Sequence, residues 1–211
     1  MSTETSSTIQ FDYEWEYSPS VSGLLGGFTL VAVFGWLITV ALTAIHFFAI
    51  PAIPADAQVQ GSIEVITSQW AYVLGVPLAT LGSFYYITTI GLALWWFDTR
   101  HPLIIKVLTP ITASGVLFSA YFVYLQLVPI GAICPFCMMS AAATVILFGL
   151  ELVVLSQSRT PSLSSMSGDI GRVLRDTNYA LVVFPVLVGV ATIFGLYMVT
   201  MLPLPDVVPF V

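Results

Sequence analysis

The chain has 211 residues, 58% of them hydrophobic and only 8% charged, with 11 acidic against 5 basic side chains and a net charge of −6. A soluble domain carries about 25% charged residues; a fold of this size has no means of hiding so much apolar surface from water, so a lipid bilayer is the expected solvent. The shortage of Lys and Arg argues against a nucleic-acid partner.

Residues 1–20 form a polar, acidic and aromatic tail, with Glu4, Asp12, Glu14 and Glu16 beside Phe11, Tyr13, Trp15 and Tyr17 and no Lys or Arg. A secretory signal needs a basic n-region and a short apolar core. The first apolar stretch is longer than that and is expected to stay as a membrane anchor, with Trp15 and Tyr17 at the interface. Five apolar runs follow, at about 22–49, 71–97, 103–128, 134–156 and 178–203. Each exceeds the ~20 residues a helix needs to cross the hydrocarbon layer. Pro77, Pro110 and Pro185 fall inside the second, third and fifth runs and predict kinks. Gly75, Ala79 and Gly82 are spaced for close helix contact. The expected layout is a tail over 1–20, a bundle over 21–156 with an outer loop at 50–70, a polar Ser-rich loop over 157–177, and a last span with a short tail over 178–211.

Basic residues orient the spans. Arg100 and Lys106 lie between the second and third, and Arg159, Arg172 and Arg175 between the fourth and fifth. Both groups share one side by parity, which the positive-inside rule makes cytoplasmic. The N-terminus is then inside, and the loops at 50–70 and 129–133 face outward with the start of the fourth span. In loop 50–70, Pro51 to Asp56 reads as extended chain. Ser62 to Trp70 reads as a short surface helix, with Ile63, Ile66 and Trp70 on its apolar face and Ser62 as its N-cap.

The only two cysteines stand at that outer end, in Cys134-Pro135-Phe136-Cys137. Proline favours the first helical position, which makes Cys134 the N-cap and puts Cys137 one turn in. Free N–H groups and the positive end of the helix dipole favour thiolate there, and thiolate is the nucleophile. Two intervening residues allow a small reducible disulfide ring. An outward Cys134 would exchange with an aqueous partner, while an inward Cys137 would face the bundle. A zinc site needs about four ligands, for which His46 and His101 are poorly placed. An inert disulfide is the other alternative, although closing so small a ring removes little chain entropy.

Ala132-Ile-Cys134-Pro-Phe-Cys137-Met-Met-Ser140, preceded by Tyr121-Phe-Val-Tyr124-Leu, resembles the fourth helix of vitamin K epoxide reductase homologues. Independently, Glu64-Val65, Ser68-Gln-Trp70-Ala71, Leu74-Gly75-Val76-Pro77-Leu78-Ala79 and Leu81-Gly82 resemble that family's loop-to-second-helix signature. The resemblance covers roughly 22–156, and the fifth run is similar to the extra helix of prokaryotic members. It implies an all-α integral membrane fold: a four-helix transmembrane bundle around a quinone pocket, plus one peripheral transmembrane helix. By it, Cys134 and Cys137 are catalytic. Cys137 reduces a quinone of the menaquinone, ubiquinone or vitamin K type, and Cys134 takes electrons from a separate thioredoxin-like thiol oxidoreductase, supporting disulfide formation outside the cytoplasm. The chain departs from the family in its first outer loop, where members usually carry two relay cysteines. One of these falls at Ser62 here and the other near 54–56.

Expected pocket walls are Trp70, Tyr72, Phe136 and Met138, with His46 as a hydrogen-bond donor to a quinone oxygen. Glu151 is expected to snorkel at the cytoplasmic end of the fourth span, and Tyr121 and Tyr124 to pack inside the bundle. The competing readings are a non-catalytic protein on the same scaffold, binding a quinone or a partner without turnover, and an unrelated transporter. Against the latter, the spans carry almost no ionisable residues to line a path.

Overall fold

The computed structural model describes residues 16–48, 61–159 and 170–200. The expected extended stretch from Pro51 to Asp56, residues 1–15 of the tail and most of the Ser-rich loop lie outside the described residues. Among the described residues, seven α-helices follow in chain order: α1 (Ser20–Phe48), α2 (Ser62–Thr67), α3 (Leu78–Thr99), α4 (Pro102–Leu125), α5 (Pro135–Ser156), α6 (Ile170–Asp176) and α7 (Tyr179–Thr200). Five of these, α1, α3, α4, α5 and α7, are long and apolar enough to cross a membrane. In lipid a helix satisfies its own backbone, so helices are the expected spanning elements. The all-α integral-membrane architecture is the one the hydropathy pattern predicts.

Helices α1, α3, α4 and α5 enclose one core. Val21, Leu25, Phe28 and Ala32 recur on one stripe of α1 and meet Tyr86, Ile90, Ala93 and Trp96 of α3 and Leu147 of α5. Lipid tails are as apolar as the side chains, so shape and hydrogen bonds hold such helices together. Gly35 lets α1 approach α3: a Cβ there would lie 2.2 Å from the Tyr86 ring. The buried Tyr86 hydroxyl then reaches α5, bonding the Ser140 carbonyl at 2.7 Å, Ser140 Oγ at 3.1 Å and Thr144 Oγ1 at 3.0 Å. α7 packs on α3 and α1 at the periphery. At its start, Trp95 Nε1 donates to Thr177 Oγ1 at 2.7 Å, and the Asn178 N–H donates to Asp98 at 2.5 Å.

One end of the bundle is closed by the turn from α3 to α4. Arg100 ends α3 in the left-handed region (φ 54°), its guanidinium stacks 4.4 Å from the Trp96 ring, and its Nη1 donates to Ser22 at 2.6 Å. Two short strands, β1 (Glu16–Tyr17) and β4 (Ser158–Arg159), pair antiparallel there. Tyr17 packs edge-on against Trp96, and burial raises its phenol to about 12.

The second span begins later than hydropathy suggests. Residues 72–77 form a tight hairpin, β2 (Tyr72–Val73) with β3 (Val76–Pro77), turned by Leu74 and Gly75 at φ 52° and 80°. Pro77 therefore precedes α3 and kinks nothing, and Gly75 serves the turn; Gly82 makes the close contact, against Thr39. Pro110 and Pro185 do lie inside helices. Tyr121 and Tyr124 are about half exposed on the outer face of α4, opposite to the expected inward packing.

Candidate functional site

Pro135 opens α5 and Cys134 caps it. The Cys137 N–H donates to Cys134 Sγ at 3.3 Å, and the Met138 N–H bonds the Cys134 carbonyl at 3.0 Å. The approach to this cap is set by the end of α4, which runs into a π turn over Gln126–Ile130 and stops at Gly131 (φ 71°). The turn brings the buried Gln126 back over the cap, where its Oε1 accepts from the Cys134 N–H at 2.8 Å. Sequence reading missed Gln126; an amide at membrane depth eight residues before the pair was the available signal.

Cys134 is wholly buried, and the expected solvent-facing thiol is thus covered. Its cover is α2, whose Val65 and Ile66 pack with Ile38 and Leu42 of α1, Ala132 and Cys134 itself. Ile63 and Trp70 are not the buried face: Trp70 belongs to the 3-10 turn Gln69–Ala71 and stays partly exposed. Gly61 occupies the cap position of α2, which leaves Ser62 as the first helical residue rather than the cap. Ser62 instead lies close enough to Cys134 to add to the forces that favour its thiolate.

Both cysteines are free thiols, and they are not equivalent. The Cys137 thiol, donating to Cys134 Sγ, is the main influence that lowers Cys134 from 9.0 to about 6. Burial opposes it, and the backbone N–H groups of Cys137 and Phe136 and the Ser62 hydroxyl add to it. The helix start thus stabilises thiolate on Cys134 while Cys137 keeps a proton to donate.

Cys137 is half-buried and lines a cavity of about 450 Å³ between α1, α3, α4, α5 and the 61–77 segment. Trp70 and His46 line it too. On α5 its wall is Cys137, Ser140, Ala141 and Thr144, a single stripe at helical spacing. Phe136 and Met138 fall off that stripe; Phe136 is exposed, and neither reaches the cavity. Tyr72 faces a second cavity of about 440 Å³ against α7, with its ring 5.1 Å from that of His46. Tyr86, which sequence reading passed over, lines the first cavity with its hydroxyl already bonded to Ser140 and Thr144. Glu151 does not snorkel: it is wholly buried among threonines of α4, because the facing helix supplies its partners.

No curated protein matches the chain. A protein-family model described as "Vitamin K epoxide reductase family" matches residues 27–152. The match runs from α1 through α5, taking in both cysteines and the walls of their cavity and leaving α7 outside. It carries the general chemistry of a membrane oxidoreductase that links thiols to quinones. With five apolar helices, a cysteine pair at a helix start and a family match over more than half its length, the chain belongs to the vitamin K epoxide reductase family.

Proposed function

We propose that this chain passes electrons from a separate thioredoxin-like partner, through the Cys134–Cys137 pair, to a quinone in the cavity, and so supports disulfide formation outside the cytoplasm. The observation that carries the reading is the position of Cys137, one turn from Cys134 and in the wall of a largely apolar cavity. Its volume falls within the range of small-molecule pockets, about 300–1,000 Å³. Its few polar groups, among them His46, Tyr86 and Gln126, suit a flat apolar ring with oxygen atoms at its edge. A bound quinone supplies the two-electron acceptor, as cofactors carry the hard chemistry in such sites.

The residues of the chain do the rest. A partner thiolate attacks the Cys134–Cys137 disulfide at Cys134, forming a mixed disulfide and releasing the Cys137 sulfur into the cavity. The partner's second thiol resolves that bond and the partner leaves as its own disulfide. The Cys134 and Cys137 thiols left behind would give up two electrons and two protons as their disulfide re-forms, matching the two of each that reduce a bound quinone. Since Cys134 lies beneath α2, the attack requires α2 to lift from Ile38 and Leu42. By the family resemblance a relay cysteine would fall at Ser62, and with serine there the partner reacts with Cys134 directly. Residues 21–156 are the catalytic unit and the last span is peripheral. The N-terminus is cytoplasmic and the cysteines face outward.

The test is quinone reduction by the purified protein with a dithiol donor. The native chain is expected to turn over, Cys137→Ala to abolish it, and a single-cysteine partner activated as its mixed disulfide with thionitrobenzoate to be captured by Cys134 of the Cys137→Ala protein with release of thionitrobenzoate. Turnover that survives Cys137→Ala would remove the mechanism. Quinone binding with no turnover in the native chain would favour the non-catalytic reading.

A further inference from the structure

Glu151 lies about two turns beyond Thr144 on α5, wholly buried in the half of the bundle away from the cysteines. Both its carboxyl oxygens meet hydroxyls of α4. Thr109 Oγ1 lies 2.7 Å from Oε1, and Thr112 Oγ1 makes a short contact with Oε2. The same hydroxyls reach main-chain carbonyls: Thr109 that of Ile105 at 3.1 Å, and Thr112 those of Leu108 at 3.2 Å and Thr109 at 3.1 Å. A hydroxyl has one proton to give and lone pairs with which to accept. When Glu151 is ionised, both threonines donate to it. When it is protonated, one threonine turns its proton to a carbonyl of its own helix and accepts from the acid. Both carboxyl oxygens stay partnered in either state, and no heavy atom moves. An ionisable group at membrane depth is costly and marks function by default; this setting suits one that gains and loses a proton.

Hydroxyls continue from Glu151 towards the cavity. Gly115, about one turn beyond Thr112, is part of the cavity wall, and Tyr85 packs on it so closely that a Cβ there would lie 2.6 Å from the phenolic oxygen. That oxygen is buried with no hydrogen bond of good geometry, close to the Thr144 hydroxyl and within electrostatic range of Tyr86 and Glu151. A buried hydroxyl without a well-placed partner is costly, and native structures keep few of them. Here the Tyr85 hydroxyl lies between the Glu151 carboxyl and a cavity that also receives the Cys137 sulfur.

We propose that Glu151 holds a proton for the cavity and passes it through the Tyr85 hydroxyl, drawing its replacement from the aqueous phase at the end of the bundle opposite the cysteines. This rests on the thiol–quinone reading above. Oxidising two thiols to a disulfide releases two electrons and two protons, and reducing a quinone to a quinol consumes two of each. Both electrons and one proton come from the cysteine end. The other proton comes from Glu151 by way of Tyr85, whose phenol gives its proton to the cavity and takes that of the carboxyl. The remaining thiol proton leaves to water at the cysteine end. Each turnover therefore moves one charge across the bundle.

The experiment uses the full chain in liposomes containing a quinone and a trapped pH dye, with reduced thioredoxin added outside as an impermeant donor. The native chain is expected to take up one proton from the lumen per disulfide formed and to run faster when an ionophore collapses the voltage. Glu151→Gln keeps an amide that can bond both threonines. It is expected to retain thermal stability and quinone affinity, to turn over at least tenfold more slowly, and to lose luminal uptake. Tyr85→Phe should do the same. Apart from turnover, infrared difference spectra between reduced and oxidised protein should contain a carboxylic-acid carbonyl band absent from Glu151→Gln. Native turnover without luminal uptake overturns the proton route and leaves the oxidoreductase reading standing, as does Glu151→Gln at the native rate. No turnover in the native chain overturns both.

Discussion

Removing the Cys137 thiol should move the titration of its neighbour, and by an amount large enough to measure. Cys134 falls from 9.0 to about 6, with the Cys137 S–H as the first cause and burial working against it. That is a large rise in acidity, so thiolate is expected to be the main form of Cys134 at pH 7, where an unperturbed thiol is nearly all protonated. The thiolate's ultraviolet absorbance in the reduced, detergent-solubilised protein, followed with pH, is expected to show one step near 6 that is missing in Cys134→Ala. Cys137→Ala should shift the step up towards 9.0. Ser62→Ala should shift it in the same direction by less, since the Ser62 hydroxyl is a lesser cause than the Cys137 thiol and backbone. The sign for stability follows from linkage. The folded-state value is depressed, so the contribution to reduced-protein stability is complete above 9.0 and is lost as pH falls through about 6. A native step near 9.0, or one that does not move in Cys137→Ala, refutes the reasoning.

Two further expectations concern what holds the site in place. Gln126→Leu leaves the buried Cys134 N–H without its acceptor, at a cost of about 1–3 kcal/mol; thermal unfolding in detergent should show a lowered midpoint. Gly35→Ala gains up to about 1 kcal/mol of helix propensity, but its Cβ would lie 2.2 Å from the Tyr86 ring. Overpacking costs about 1–3 kcal/mol, so the variant should be less stable than the native chain, and unchanged stability would mean that α1 and α3 can separate freely.

Much of this was legible in the sequence because lipid imposes simple rules. Length and hydropathy were enough to locate the five spans, and Pro135 was enough to locate the cap that holds Cys134. The hairpin at 72–77 was not legible. Tyr72, Val73, Leu74 and Val76 are as apolar as a span, and only the backbone reveals the turn at Leu74 and Gly75. Glu151 was misread for a different reason. Its distance from the helix end suggests snorkelling, whereas its partners, Thr109 and Thr112, become visible only once α4 is known to face α5. The cavity wall was partly legible: Trp70 and His46 lie on it, while Phe136 and Met138 fail because the wall follows the Cys137–Ser140–Ala141–Thr144 stripe.

The most direct test of the account is where a quinone settles. A photoreactive azidoquinone, illuminated with the native chain in membranes and mapped by mass spectrometry, should label residues around Cys137, Ser140 and Trp70, and an excess of unlabelled quinone should suppress that labelling. Label confined to the lipid-facing surface of α7, or label that excess quinone does not displace, would contradict a cavity built for the electron acceptor.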